Sequence, residues 1–313
     1  MAKYRQKQPQ LSDKLFLTDG GLETTLLFHN GFDLPEFAAF VLLQDGPGRK
    51  TLEQYFRTYT EIARSNRLGF VLESVTWRAS SSWGQRLGYK DDALVAANRN
   101  AVEMLADIRN DCETEQTPMV ISGCMGPRGD GYSVADKMSV SEAECYHRPQ
   151  IAALQTTEAD MVSAFTMNYS EEAIGLSLAA QATDMPVAIS FTVETDGCLP
   201  SGEMLGEAVE AVDEATGAAP VYYMINCAHP GHFENVLVEG GPWLERIKGL
   251  RANASAKSHA ELDEAEELDD GDPLEFGKQY RRLREKLPQL NVLGGCCGTD
   301  HRHILEICKA CIN

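Results

Sequence analysis

The sequence predicts a single α/β domain closed as a (β/α)8 barrel over residues 1–313, and three observations carry that prediction. Eight short apolar runs recur along the chain, most are followed by a stretch with apolar residues at helical spacing, and the runs are apolar throughout rather than alternating with polar residues. Strands of that kind have both faces covered, as in a parallel sheet wrapped by helices. Eight such units in roughly 300 residues match the closed barrel. The competing arrangement is an open, doubly wound sheet with an appended domain, but no Gly-x-Gly-x-x-Gly follows the first run, and that motif marks a dinucleotide-binding unit.

The first run is KLFLTDGG (14–21), with a helix expected over 52–67. GFVLESVTW (69–77) precedes a helix over 91–113, and PMVISGCMGP (118–127) one over 141–157. MVSAFTMNY (161–169) leads to 171–182, VAISFTVE (187–194) to 204–216, and PVYYMINCAHP (220–230) to a short helix over 232–238. The seventh run, WLERIKGLRANAS (243–255), is the weakest, and an acidic stretch, 255–273, separates it from a helix over 273–286. That stretch lacks the Asp-x-Asn/Asp-x-Asn/Asp-Gly pattern of a calcium loop, so a solvated loop or short acidic helix inserted in the last unit is expected. NVLGGCCGT (291–299) is the eighth.

A net charge of −19 and a pI near 4.8 argue against a partner gripped through phosphates, so nucleic acid and anionic membrane surfaces are not expected. No apolar run approaches the roughly 18 residues of a membrane span, and the start, MAKYRQKQPQLSDKL, is too polar for a secretory signal. Nine cysteines, an odd set, fit reduced thiols in the cytoplasm better than a disulfide framework. A homo-oligomer is compatible with this composition.

In such a barrel the active site is built at the C-terminal ends of the strands. Two of these tails carry cysteine: Cys227 ends the sixth run, and Cys296 with Cys297 ends the eighth. A disulfide between adjacent cysteines is strained. Three converging thiolates with an open fourth position instead suit a catalytic Zn²⁺. The natural occupant of that position is a substrate thiol, which the ion would hold as thiolate. Cys112, Cys124, Cys145, Cys198, Cys308 and Cys311 read as core or incidental thiols.

The motifs Asp-Gly-Gly-Leu-Glu at 19–23, Asn-Cys-x-x-Pro at 226–230 and GGCCGT at 294–299 resemble, in order and separation, the homocysteine S-methyltransferase family over almost the whole chain. The resemblance implies a zinc-dependent barrel that moves a methyl group from an activated donor to the sulfur of homocysteine, with Cys227, Cys296 and Cys297 on the metal. It implies substrate contacts at Asp19, Gly20, Gly21, Trp77 and Asn226, and places Glu23 near the bound amino acid. Glu194 is a second candidate for the homocysteine ammonium. SFTVETDGCLPSGE (190–203) is similar to family members that use S-methylmethionine or S-adenosylmethionine, and Trp77 could face the cationic donor. Departures from the family pattern fall at Thr166 and Met167, at Trp77, and in LRANAS (250–255). The alternatives are betaine or another donor, a different thiol or selenol acceptor, and a non-catalytic zinc- or thiol-sensing barrel closed by His229 or His301.

Overall fold

Each apolar run forms a strand because its side chains have a covered environment on either face, one inside a ring and one beneath a helix. In the computed structural model, which describes residues 1–238, 240–265 and 267–312, the strands are β1 (Phe16–Leu17), β2 (Gly69–Glu73), β3 (Met119–Met125), β4 (Met161–Met167), β5 (Val187–Phe191), β6 (Tyr222–Asn226), β7 (Ile247–Ala252) and β8 (Val292–Gly295). All pair in parallel and in chain order, and β8 returns to β1 through Phe16 opposite Val292, which closes the barrel. The expected (β/α)8 fold is the fold observed.

The main helices are α1 (Gly46–Ser65), α2 (Asp91–Cys112), α3 (Val140–Gln155), α4 (Ser170–Gln181), α5 (Leu205–Thr216), α6 (Pro230–Val238), α7 (Pro273–Lys286) and α8 (His301–Cys311). Helix α1 starts earlier than its apolar spacing indicates. Gly46, Pro47 and Gly48 look like a turn, but Asp45 accepts the Gly48 N–H at 2.9 Å and Pro47 sits in the first turn, where its missing N–H costs nothing. Asp300 caps α8 by accepting the Arg302 N–H, and His303 completes the cap from the third position. Within the acidic stretch, His259–Asp263 form a short helix capped by Ser258 and Glu261. No helix among the described residues is long and apolar enough to cross a membrane.

Side chains alternate between two cores. Leu17, Phe70, Leu72, Ile121 and Leu293 point out beneath the helices, while Phe16, Val71, Val120, Met161, Tyr222 and Val292 fill the barrel interior. The N-terminal segment covers the lower end: Tyr4 packs on the interior cluster, and Asn291 donates to the carbonyls of Gln10 and Ser12.

Above the apolar interior lies a polar layer at the C-terminal ends of the strands. Ser122 and Ser163 share a hydrogen bond, Ser163 donates to Glu73 at 3.1 Å, and Arg251 lies over the Phe165 ring. Burial pushes the Glu73 carboxyl up to about 7 despite the opposing field of Arg251.

Two outcomes follow. Phe16→Ala empties the centre of the interior and is expected to lower unfolding stability by about 3–5 kcal/mol in urea titrations; a loss below about 1 kcal/mol would show that the interior does not depend on close packing. Glu73 titrates higher when folded than the roughly 4.3 of a free glutamate, so its contribution is complete below that value and is lost as pH rises through about 7. Glu73→Gln mimics the protonated form. It should match the parent near pH 4 and exceed it at pH 8 by on the order of 1–3 kcal/mol, whereas a pH-independent difference would show that burial does not control this carboxyl.

Candidate metal centre

The chain puts cysteine at the ends of β6 and β8 and leaves β7 between them without one. The tail of β7 holds both. The Cys227 N–H donates to the Arg251 carbonyl at 3.1 Å and the Cys296 N–H to the Ala252 carbonyl at 2.9 Å. Asn253 Nδ2 donates to the Cys227 carbonyl at 3.0 Å, and the Ala254 N–H to the Cys297 carbonyl at 3.1 Å. The three sulfur atoms thereby lie within 4.8 Å of one another. Thiolates around a tetrahedral Zn²⁺ at about 2.3 Å are separated by roughly 3.8 Å, so this donor set fits a thiophilic ion with small adjustments.

The turns that aim the cysteines are tight. Cys227 has a positive φ of 54°, an uncommon conformation for a residue with a side chain, and such strain concentrates at functional sites. Gly21 is required where the β1 loop meets the cysteine turn, since a Cβ there would stand 2.5 Å from the Cys296 carbonyl oxygen. The three thiols share charge unequally: Cys227 is held well below the usual thiol range by S–H donation from Cys296 and Cys297, which are pushed up in consequence.

Of the residues expected from sequence, Asp19 is buried at the top of β1, accepts from Tyr55 Oη at 2.9 Å and pairs with Arg251 at 2.9 Å. The Gly20 carbonyl accepts from Tyr55 and Arg251. Glu23 lies in a one-turn helix, Leu22–Thr24, where burial first, and then the charges of Asp19 and Cys227, push its carboxyl up to about 7. The Asn226 amide is engaged within the protein: Oδ1 accepts from the Thr166 N–H and Ser190 Oγ, and Nδ2 donates to Thr166 Oγ1. It braces Thr166, whose φ of 61° coincides with a register shift between β4 and β5. Trp77 packs on the interior cluster, with its Nε1 buried and unpartnered and Arg78 over its ring at 3.8 Å. Glu194 lies in a turn closed by its own N–H to the Cys198 carbonyl, and its carboxylate makes no hydrogen bond or ion pair among the described residues. His229 is occupied with Gly231 and Gln279, His301 is exposed at the start of α8, and neither joins the cysteine cluster.

Sequence reading missed several neighbours. Arg251 ties the Gly20 and Gly295 carbonyls together from inside the barrel, and its only signal was a charge in an apolar run. Tyr132 approaches Cys297, with Oη 4.0 Å from Sγ, and its ring stands edge-on to His259 at 4.1 Å. His259 is buried with both ring nitrogens unpartnered. It brings the acidic stretch to the site, as does Asp269, whose carbonyl lies against Gly298. Further unpartnered buried atoms, Asn168 Oδ1, Thr192 Oγ1 and Asn253 Oδ1, lie just beyond β4, β5 and β7. Buried polar atoms normally have partners, so this concentration at one end of the barrel marks a ligand-binding mouth.

Two solved structures of the Escherichia coli homocysteine methyltransferase MmuM share the fold. The metallated form matches with a TM-score of 0.70 at 17% identity over 95% of this chain and 96% of that one. The oxidized form matches with a TM-score of 0.69 at 19% identity over 95% of each chain. The family model described as homocysteine S-methyltransferase matches residues 16–311, and the chain therefore belongs to the homocysteine S-methyltransferase family.

Proposed function

We propose that the chain is a Zn²⁺-dependent methyltransferase that moves a methyl group from a sulfonium donor, S-methylmethionine or S-adenosylmethionine, to the sulfur of homocysteine, forming methionine. The observation that carries this reading is the convergence of Cys227, Cys296 and Cys297 at the barrel mouth in a member of this family. When bound, the ion would supply a positive field that keeps the acceptor sulfur as thiolate at neutral pH. Three clustered cysteines must stay reduced to hold an ion, which supports a reducing compartment such as the cytoplasm.

The chain's own residues do the rest. The tail of β7 fixes the cysteine backbones, and Arg251 offsets part of the negative charge gathered there. Glu23, close enough to sense Cys227, is the carboxylate we assign to the homocysteine ammonium; Glu194 stays a weaker candidate, having nothing that holds it toward the cluster. In the transfer the acceptor's thiol proton leaves, a sulfur–carbon bond forms, and the donor's sulfur–methyl bond breaks with its electron pair staying on the departing sulfide. Because the donor loses its charge, positioning and exclusion of water matter more than acid catalysis. The run 190–203 supports a sulfonium donor.

Under reducing conditions the wild type should carry near one zinc per chain and Cys297→Ala far less, and the cobalt-substituted protein should gain a sulfur ligand when homocysteine is added. Zinc that ignores homocysteine, or none at all, would sink the acceptor half of the mechanism. Glu23 must be ionised to hold an ammonium, so the acceptor KM should rise as pH falls through about 7. Glu23→Gln should show a raised acceptor KM that is flat across that window; an unchanged KM would remove Glu23 from the acceptor site.

A further inference from the structure

Arg78 follows Trp77 in the turn after β2 and is 5% exposed. Its guanidinium is sandwiched between two tryptophans, 3.8 Å from the Trp77 ring and 3.7 Å from the Trp83 ring. Stacking occupies both faces and leaves only donors in the guanidinium plane. Of these, Nη1 donates to the Gly129 carbonyl at 3.1 Å, while the buried Nε has no partner and Nη2 makes no hydrogen bond. Arg78 forms no ion pair among the described residues. The acidic groups whose field reaches it, Asp130, Glu23 and Glu36, belong to the loops after β1 and β3.

A buried cation without a counter-charge is costly. The other buried arginines each have one: Arg109 pairs with Asp160, and Arg251 with Asp19. The Nε and Nη2 donors together form the edge that engages a carboxylate through two parallel hydrogen bonds. Position then selects the ligand. In a ring that runs β1 to β8 in order, β2 lies across from β6, so the loop that carries Arg78 and the strand end that carries Cys227 are on opposite sides of the mouth. An in-line methyl transfer puts the leaving group on the side of the methyl remote from the nucleophile, which is the side of that loop.

We propose that Arg78 is the specificity determinant for the methyl donor, binding a carboxylate tethered to the methyl-bearing sulfonium through its Nε and Nη2 edge. This rests on the reading that the cysteine side of the mouth holds the acceptor. The donor class is thereby a sulfonium carboxylate, anchored at one end by Arg78 and presenting its methyl group to the acceptor sulfur at the other.

The test compares S-methylmethionine with its carboxamide on the full, zinc-loaded chain at saturating homocysteine, and titrates each donor alone against tryptophan fluorescence, since Trp77 and Trp83 flank the guanidinium. Wild type should prefer the carboxylate by roughly 10- to 100-fold in kcat/KM and in binding. Arg78→Gln should bring that ratio close to one through the donor KM, with acceptor KM and zinc content unchanged, and Arg78→Lys should restore part of it. Equal loss on both donors, a change confined to the acceptor KM, or wild-type binding that ignores the carboxylate would overturn the proposal. Discrimination in the fluorescence titration without turnover would uphold the Arg78 site while refuting the assigned reaction, so the two readings fail separately.

Discussion

The three cysteines are held in place by a strand that contributes none of them. The tail of β7, from Arg251 to Ala254, bonds to the backbone of Cys227 on one side and of Cys296 and Cys297 on the other. A strand flanked by both ligand strands is the one element that can set their separation, because parallel pairing fixes its register against each. The sulfur geometry is thus a property of the sheet rather than of flexible loops, as suits a preorganised site.

The same strand brings the main positive charge. Arg251 reaches from β7 to the β1 loop and the β8 turn, pairing with Asp19 while its field falls on Cys296 and Glu73. Acidic groups raised by burial, a guanidinium and three thiols share one low-dielectric volume, so the ionisation of each depends on the others. Glu23 and Glu73, both near 7, leave the mouth poised between protonation states at neutral pH.

How much of this was legible in the sequence depended on range. The eight strands were readable because a strand covered on both faces is a local run of apolar residues, and the cysteines because they end two such runs. Features set by contacts between distant segments were not. The motif marks Asn226 as a substrate contact, but nothing local to it announces that its amide also braces Thr166 and Ser190 on β4 and β5. Tyr132 and His259 carry no local pattern that distinguishes them from loop or surface residues, and Arg251 only that of a charge within an apolar run. The start of α1 was hidden because two glycines and a proline signal a turn unless the capping role of Asp45 is seen.

The order of the strands has a consequence for how the protein is made. Cys296 and Cys297 directly follow the strand that completes the ring against β1, so on a ribosome they emerge after every strand has been synthesised. Until then Cys227 can have its β7 contacts but not its sulfur neighbours. The three-sulfur cluster therefore assembles only as the barrel closes, and a nascent chain that stops before β8 carries the Cys227 thiol alone at the end of an open sheet.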